Sequence, residues 1–378
     1  MISNKSSFAG LNGKSVNARH ARNSRARRTL WQLACVLLVA VGASFFFSRH
    51  ASALNVTWDG GGATNNWSEA ANWSGDAVPG TNDVAIFDGT STKNATIDVN
   101  INVQGIQINS GYTNTVPGTG TITQSGSSTV TVGGSGYTQS GGTFTGGSGD
   151  IDINGNFALS GGTFTASSGT TFFGGQFASD LPGGTFNHNG GTVVFDGNIS
   201  VDSRANPAVT LNNLIVNKPN GNVFTLGGTL IVTGTLTFTD GVFFSGGPIE
   251  ARGAVNIGPN FDGGGGQLNI TDPASPPTRT ITFPAGTQLV NIMLNSSSTT
   301  IDTTGTGTLV WKNLTLQAGA IQQGNNVTFV FNGNSYNQSG GTLTGSSSPI
   351  TFGSNFTQSN GTFTGGSGDI DINGNFNL

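Results

Sequence analysis

From Ala95 onward apolar side chains fall at every second position. Ile97, Val99, Ile101 and Val103 are followed by Ile106 and Ile108, with Asp, Asn and Gln between them. A period of two turns one face inward and the other toward water, which predicts strands with one buried face. The pattern renews itself along the chain. Phe144 recurs as Phe164 after 20 residues and as Phe186 after 22, and Leu343 recurs as Phe363 after 20. Short runs in which two apolar residues flank Gly and Asn punctuate it: Ile153 to Phe157, Phe173 to Phe177, Phe195 to Ile199, Phe352 to Phe356 and Ile372 to Phe376. Each is expected to be a corner turned by residues that tolerate positive φ. No helical pattern follows Phe47.

Residues 134–159 return at 353–378 with 22 of 26 positions identical. A period near twenty residues, rich in Gly, Thr and Asn, predicts an all-β chain wound as a parallel β-helix, or β-solenoid, with coils of roughly 20–22 residues. Twenty residues at roughly 3.3 Å each give a perimeter of about 66 Å, enough for three short faces joined by corners. Residues 91–378 would then make roughly fourteen coils. Phe144, Phe164 and Phe186 are expected to stack as an internal column. The 25 Phe against 3 Tyr fit a dry interior without hydroxyls to satisfy.

The predicted organisation has an export segment at 1–53, an N-terminal cap at 54–90 and a first solenoid block at 91–258. A Pro/Gly-rich irregular segment at 259–285, holding five of the twelve prolines, would separate it from a second block at 286–378. That block stops inside the second copy of the long repeat, so further repeats are expected beyond Leu378. The cap reading rests on TWDGGGATNNWSEAANWSGDAVPGTNDVAIFDG at 57–89, which holds three of the five tryptophans and does not recur. A first coil exposes an apolar end that needs covering. The series W-D-G-G-G, a second Trp, N-W, then V-P-G and D-V-A-I-F resembles the opening of bacterial secreted β-strand-repeat proteins. These are similar to autotransporter passengers and filamentous-haemagglutinin-type β-solenoid surface proteins. The resemblance implies a solenoid at the cell surface or outside the cell, and it implies no ligand.

Charge divides the chain in two. Residues 1–53 carry eight of the fourteen Lys and Arg and no acid, leaving six basic residues against eighteen acids, a net −12, for 54–378. The basic stretch Lys5 to Arg28, the apolar run Leu30 to Phe47 and Ala51-Ser52-Ala53 read as a secretory signal, with an uncleaved anchor as the alternative. Either reading places the remainder outside the cytoplasm. A membrane is expected as a partner only through this segment or a module beyond Leu378. The lone Cys35 lies within the apolar run, so no disulfide is expected. Six scattered basic residues lack the electrostatic footprint of a nucleic-acid binder. A weakly charged surface of Thr, Ser, Asn and Gly suits carbohydrate or other copies of the chain.

Four sets of residues could carry chemistry. GGSGDIDIN at 146–154, repeated at 365–373, comes near a calcium-binding nonapeptide, but its acids stand at the fifth and seventh places. Alternation buries Ile151 and Ile153 and turns Asp150, Asp152 and Asn154 outward, with Asp369, Asp371 and Asn373 as their counterparts. These are calcium candidates with few oxygens, and a plain solvated face is the alternative. Trp58, Trp67 and Trp73 are glycan-stacking candidates if exposed and cap residues if buried; Trp311 is open to either reading. Thr-x-Thr triplets at 143–145, 163–165, 342–344 and 362–364 would align hydroxyls as ice-binding solenoids do, or serve as ordinary outward strand residues. For catalysis the segment 54–378 offers His188, Glu69 and Glu250, and Asp202 with Arg204 reads as a minor surface ion pair. The expected function is therefore a non-catalytic structural or adhesive solenoid needing no cofactor, with a carbohydrate-binding or polysaccharide-degrading β-helix as one alternative and an ice-binding solenoid as another.

Overall fold

The computed structural model describes residues 54–113, 120–179, 183–197, 200–202, 208–219, 223–272 and 278–378. The expected export segment and the Asp202–Arg204 pair lie outside what it describes. The chain is 58% strand and winds into a β-solenoid of about 12 turns. Among the described residues the single helical element is the 3-10 turn Ala70–Asn72.

Each regular coil contributes to three parallel ladders. Ile151–Ile153 pairs with residues 130–132 on one side and 171–173 on the other. The first part of Phe157–Thr165 pairs with 137–139 and 177–179, and its last part with 143–145 and 185–187. The three ladders recur after residue 290: Tyr336 pairs with Leu314 and Phe356, Leu343 with Ile321 and Phe363, and Ile350 with Phe329 and Ile370. In-register stacking brings like side chains over like. The rings of Phe144, Phe164 and Phe186 form the expected column at 5.1 and 5.7 Å. Tyr137, Phe157 and Phe177 form a second at 5.4 and 5.2 Å. Offset stacked pairs of this kind add about 0.5–1.5 kcal/mol beyond their buried area.

The structure corrects several expectations. There are about 12 turns in place of fourteen, because some coils are long: Ile106 pairs with Tyr137, thirty-one positions on, and Leu268 pairs with Ile292, twenty-four on. Among the described residues one ladder runs through 259–285, while the pairings of Val255–Phe261 end there and a new ladder opens at Arg279–Pro284. Gln267–Thr271 pairs on both sides, with 249–251 and 291–295, and Arg279–Pro284 pairs with 299–304. Pro259 is accommodated at a register shift between Ile257, opposite Phe238, and Asn260, opposite Asp240, where no ladder donor is required. Val99, expected inward, is exposed at a corner between strands.

The corners also use glycine differently from the expectation. Among the described residues the Gly/Asn runs do not adopt positive φ; left-handed glycines occur instead in the Ser-Gly-Gly-Thr bend, at Gly142 (φ 60°) and Gly162 (73°), and at other turns such as Gly126, Gly241 and Gly319. In the Gly/Asn runs glycine is needed for space: a Cβ on Gly175 would lie 2.1 Å from the carbonyl carbon of Gly155. Finally, the interior is not wholly apolar. Tyr112, Tyr137 and Tyr336 are buried, and Tyr137 donates to Gln139 Oε1 at 2.8 Å while Tyr336 donates to Gln338 Oε1 at 2.9 Å.

Candidate functional site: a lateral groove

The three cap tryptophans are not a sugar platform. Trp58, Trp67 and Trp73 are each at most 1% exposed. They interlock edge to face, Trp58 with Trp73 at 5.1 Å and Trp67 with Trp73 at 4.5 Å, and Phe87 stands within 6 Å of all three. The physical reason is the end of the stack: Phe87 and Tyr112, the first aromatic residues of the coils, would otherwise face water. Trp58 Nε1 and the Tyr112 hydroxyl both donate to the Lys93 carbonyl at 2.9 Å. The Lys93 ammonium in turn donates to the carbonyls of Gly60 and Gly62 and to Asn72 Oδ1. Trp311 is likewise buried, stacked on Phe331 at 5.6 Å.

The calcium candidates lie on the outer face. Among the described residues no group of three or more His, Cys, Asp or Glu is placed to hold a metal ion. Asp150, Asp152 and Asn154 point outward, and one strand by itself supplies few of the roughly six to eight oxygens that calcium takes. Asp150 is also partly engaged, accepting the Thr170 amide proton at 3.2 Å and thereby capping the next coil. Asp369, Asp371 and Asn373 are exposed on the last described coil, where Asp371 is in register with Thr351 and gains no second acid from its neighbour.

What the first acidic set does form is one wall of a groove of about 400 Å³. Its other members come from neighbouring coils: Thr129 and Thr131 from below, Phe172 and Asp196 from above. Register explains the assembly. Thr131, Asp152, Phe172 and Val194 occupy one outward row. Phe195 pairs with Phe173, so Asp196 falls in the row of Gly174, beside Phe172. Thr171 and Phe173 are buried on either side of Phe172, whose ring is thereby left on the outer face, half-buried in a row otherwise occupied near it by Thr, Asp and aliphatic residues. Burial raises the Asp196 carboxyl above the usual carboxylate range, and the Asp152 charge raises it further, against the pull of Lys218. Lys218 is itself buried, which lowers its ammonium to about 8, and it donates to the Gly197 carbonyl.

Asp196 and Phe172 were not singled out from sequence. A signal exists in Thr-Thr-Phe-Phe at 170–173, where two successive Phe must face opposite sides of a strand. His188 accepts the Gly190 amide proton at Nδ1, 2.8 Å away, and so closes a turn. The Thr ranks are formed: Thr121, Thr143, Thr163 and Thr185 stand in register, as do Thr123, Thr145 and Thr165, with Asn187 ending the second row.

No family model, curated protein sequence or solved structure matches the chain. No helix of the described residues is long and apolar enough to cross a membrane.

Proposed function

We propose that this chain is an extracellular surface protein of the β-strand-repeat kind, and that its solenoid serves as a non-catalytic structural or adhesive element. The observation that supports this most directly is the continuity of the parallel ladders. The regular coils are each hydrogen-bonded to the next along three strands, so they resist bending while presenting polar rows coil after coil. Such rows favour many weak contacts over one pocket. Thr, Asn and Ser hydroxyls and amides at a repeat of about 4.8 Å suit extended partners, carbohydrate chains or other copies of the chain. The leader reading and the resemblance of the cap motif support the location outside the cytoplasm.

Beads coated with the purified chain should be retained on polysaccharide-coated or chain-coated surfaces, with retention rising steeply as coating density increases. The polysaccharide should remain undegraded. Release of soluble sugar on incubation would replace this reading with an enzymatic one.

A further inference from the structure

The groove beside Asp152 departs from the repetitive face around it in three ways. It has volume, about 400 Å³, within the range of small-molecule sites. It contains an aromatic ring turned outward, as only a few rings of the described coils are, Phe244 among them. Its lining is acidic: Asp150, Asp152 and Asp196 line it, and none of the lining residues is basic. The nearby cation Lys218 is buried and offsets part of the Asp196 carboxylate alone, which leaves Asp150 and Asp152 as the net charge of the wall.

We propose that this groove binds a cationic amino sugar, with the Phe172 ring as its stacking platform and the carboxylates of Asp152 and Asp196 as acceptors for its ammonium and hydroxyl protons. The chemistry of each wall selects the ligand. An aromatic face attracts the C–H face of a pyranose and, through its quadrupole, an ammonium group. Carboxylates accept charge-assisted hydrogen bonds from that ammonium. Thr129 and Thr131 supply hydroxyls on the opposite side, able to donate to or accept from a second sugar ring. The same carboxylates repel uronic acids and sulfated glycans. Asp150 contributes mainly its field, since Oδ1 already accepts from Thr170. The rows above and below do not repeat the set. Asn102 precedes Thr131, and Val194 and Ile215 follow Phe172, so this is one site on an otherwise repetitive face.

The inference rests on the adhesive reading above, because it names a partner for one lateral face, and the test separates the two. Calorimetric titration of the full chain would use three probes: glucosamine tetramer, N-acetylglucosamine tetramer and galacturonic acid tetramer. Saturable one-site binding of the glucosamine tetramer is expected, weakened by added salt. The acetylated probe should bind at least about tenfold more weakly, having lost the charge, and the galacturonate should not bind.

Phe172→Thr places in the row the residue that already occupies it at Thr131 and Thr237, and it should lower affinity about tenfold. Asp152→Asn should do the same, with the far-ultraviolet spectrum unchanged in both. Equal binding of the acetylated or anionic probe, no saturable binding of any probe, or full affinity in both variants would overturn the proposal. Bead adhesion that persists in the two variants would leave the adhesive reading standing without this site; adhesion lost in the parent chain would remove that reading independently.

Discussion

Single residues in this solenoid are chosen by what lies one coil away. Gly175 is glycine because its α-carbon faces the backbone of Gly155, and Asp150 is acidic on a face where its nearest duty is to accept the Thr170 amide proton. Asp272 shows the same logic with a measurable consequence. Its carboxylate accepts from the Ser296 and Ser298 hydroxyls and from the Ser297 amide at 3.1 Å, and these bonds lower its pKa from 3.8 to about 2. A carboxyl depressed in the fold contributes stability above its unfolded pKa and loses it as pH falls through the folded value. Replacing Asp272 with Asn should therefore flatten the acid limb. Between about pH 4 and pH 2 the parent chain should lose thermal stability more steeply than Asp272→Asn, and parallel acid limbs would show that the serine cluster does not hold the charge.

At the scale of the element, the buried glutamines explain how a bend between two ladders stays closed in a dry interior. Gln139 Nε2 donates to the carbonyls of Gly141, Gly142 and Thr163, the last from the next coil, while Oε1 accepts from Tyr137. Gln338 repeats this with Gly341, Thr362 and Tyr336. Gln124 and Gln323 perform the parallel task at the next corner, reaching the carbonyls of Gly149 and Pro349 on the following coil. A buried carbonyl stripped of its donor costs about 1–3 kcal/mol. Gln139→Leu should accordingly destabilise the chain by at least that amount, and Tyr137→Phe by about 1 kcal/mol. In a double-mutant cycle by chemical denaturation the pair should be non-additive, because either change alone breaks the bond they share. Additive costs would mean that each side chain is satisfied independently.

At the scale of the whole solenoid, stability is a sum of coil and interface contributions, so the ends matter more than in a globular domain. The tryptophan cluster closes one end, and Trp73 is its centre, touching Trp58, Trp67 and Phe87. Truncating a buried Trp costs about 3–5 kcal/mol, and here the loss should be felt first in the adjoining coils. In Trp73→Ala, amide exchange should accelerate in Val84–Phe87 and Ile101–Ile108 well before Val327–Phe331, grading with distance from the cap. Uniform acceleration along the chain would indicate a single cooperative unit in place of a stack.

The winding itself was legible in the chain, because period-two alternation, a repeat near twenty residues and a once-only tryptophan segment each express a local or nearest-neighbour constraint. The Phe144, Phe164 and Phe186 column followed from spacing alone, since side chains at equal places in stacked coils must meet. Three matters were decided only by tertiary structure. Register, with its long coils, determined which strands of 259–285 pair with their neighbours and that Ser-Gly-Gly-Thr is one of the bends turned by a left-handed glycine. Burial at the end of the stack turned Trp58, Trp67 and Trp73 inward. The groove needed both: Asp152, Phe172 and Asp196 lie on three different coils, and no periodicity along one strand reports which outward residues will become neighbours across the next two.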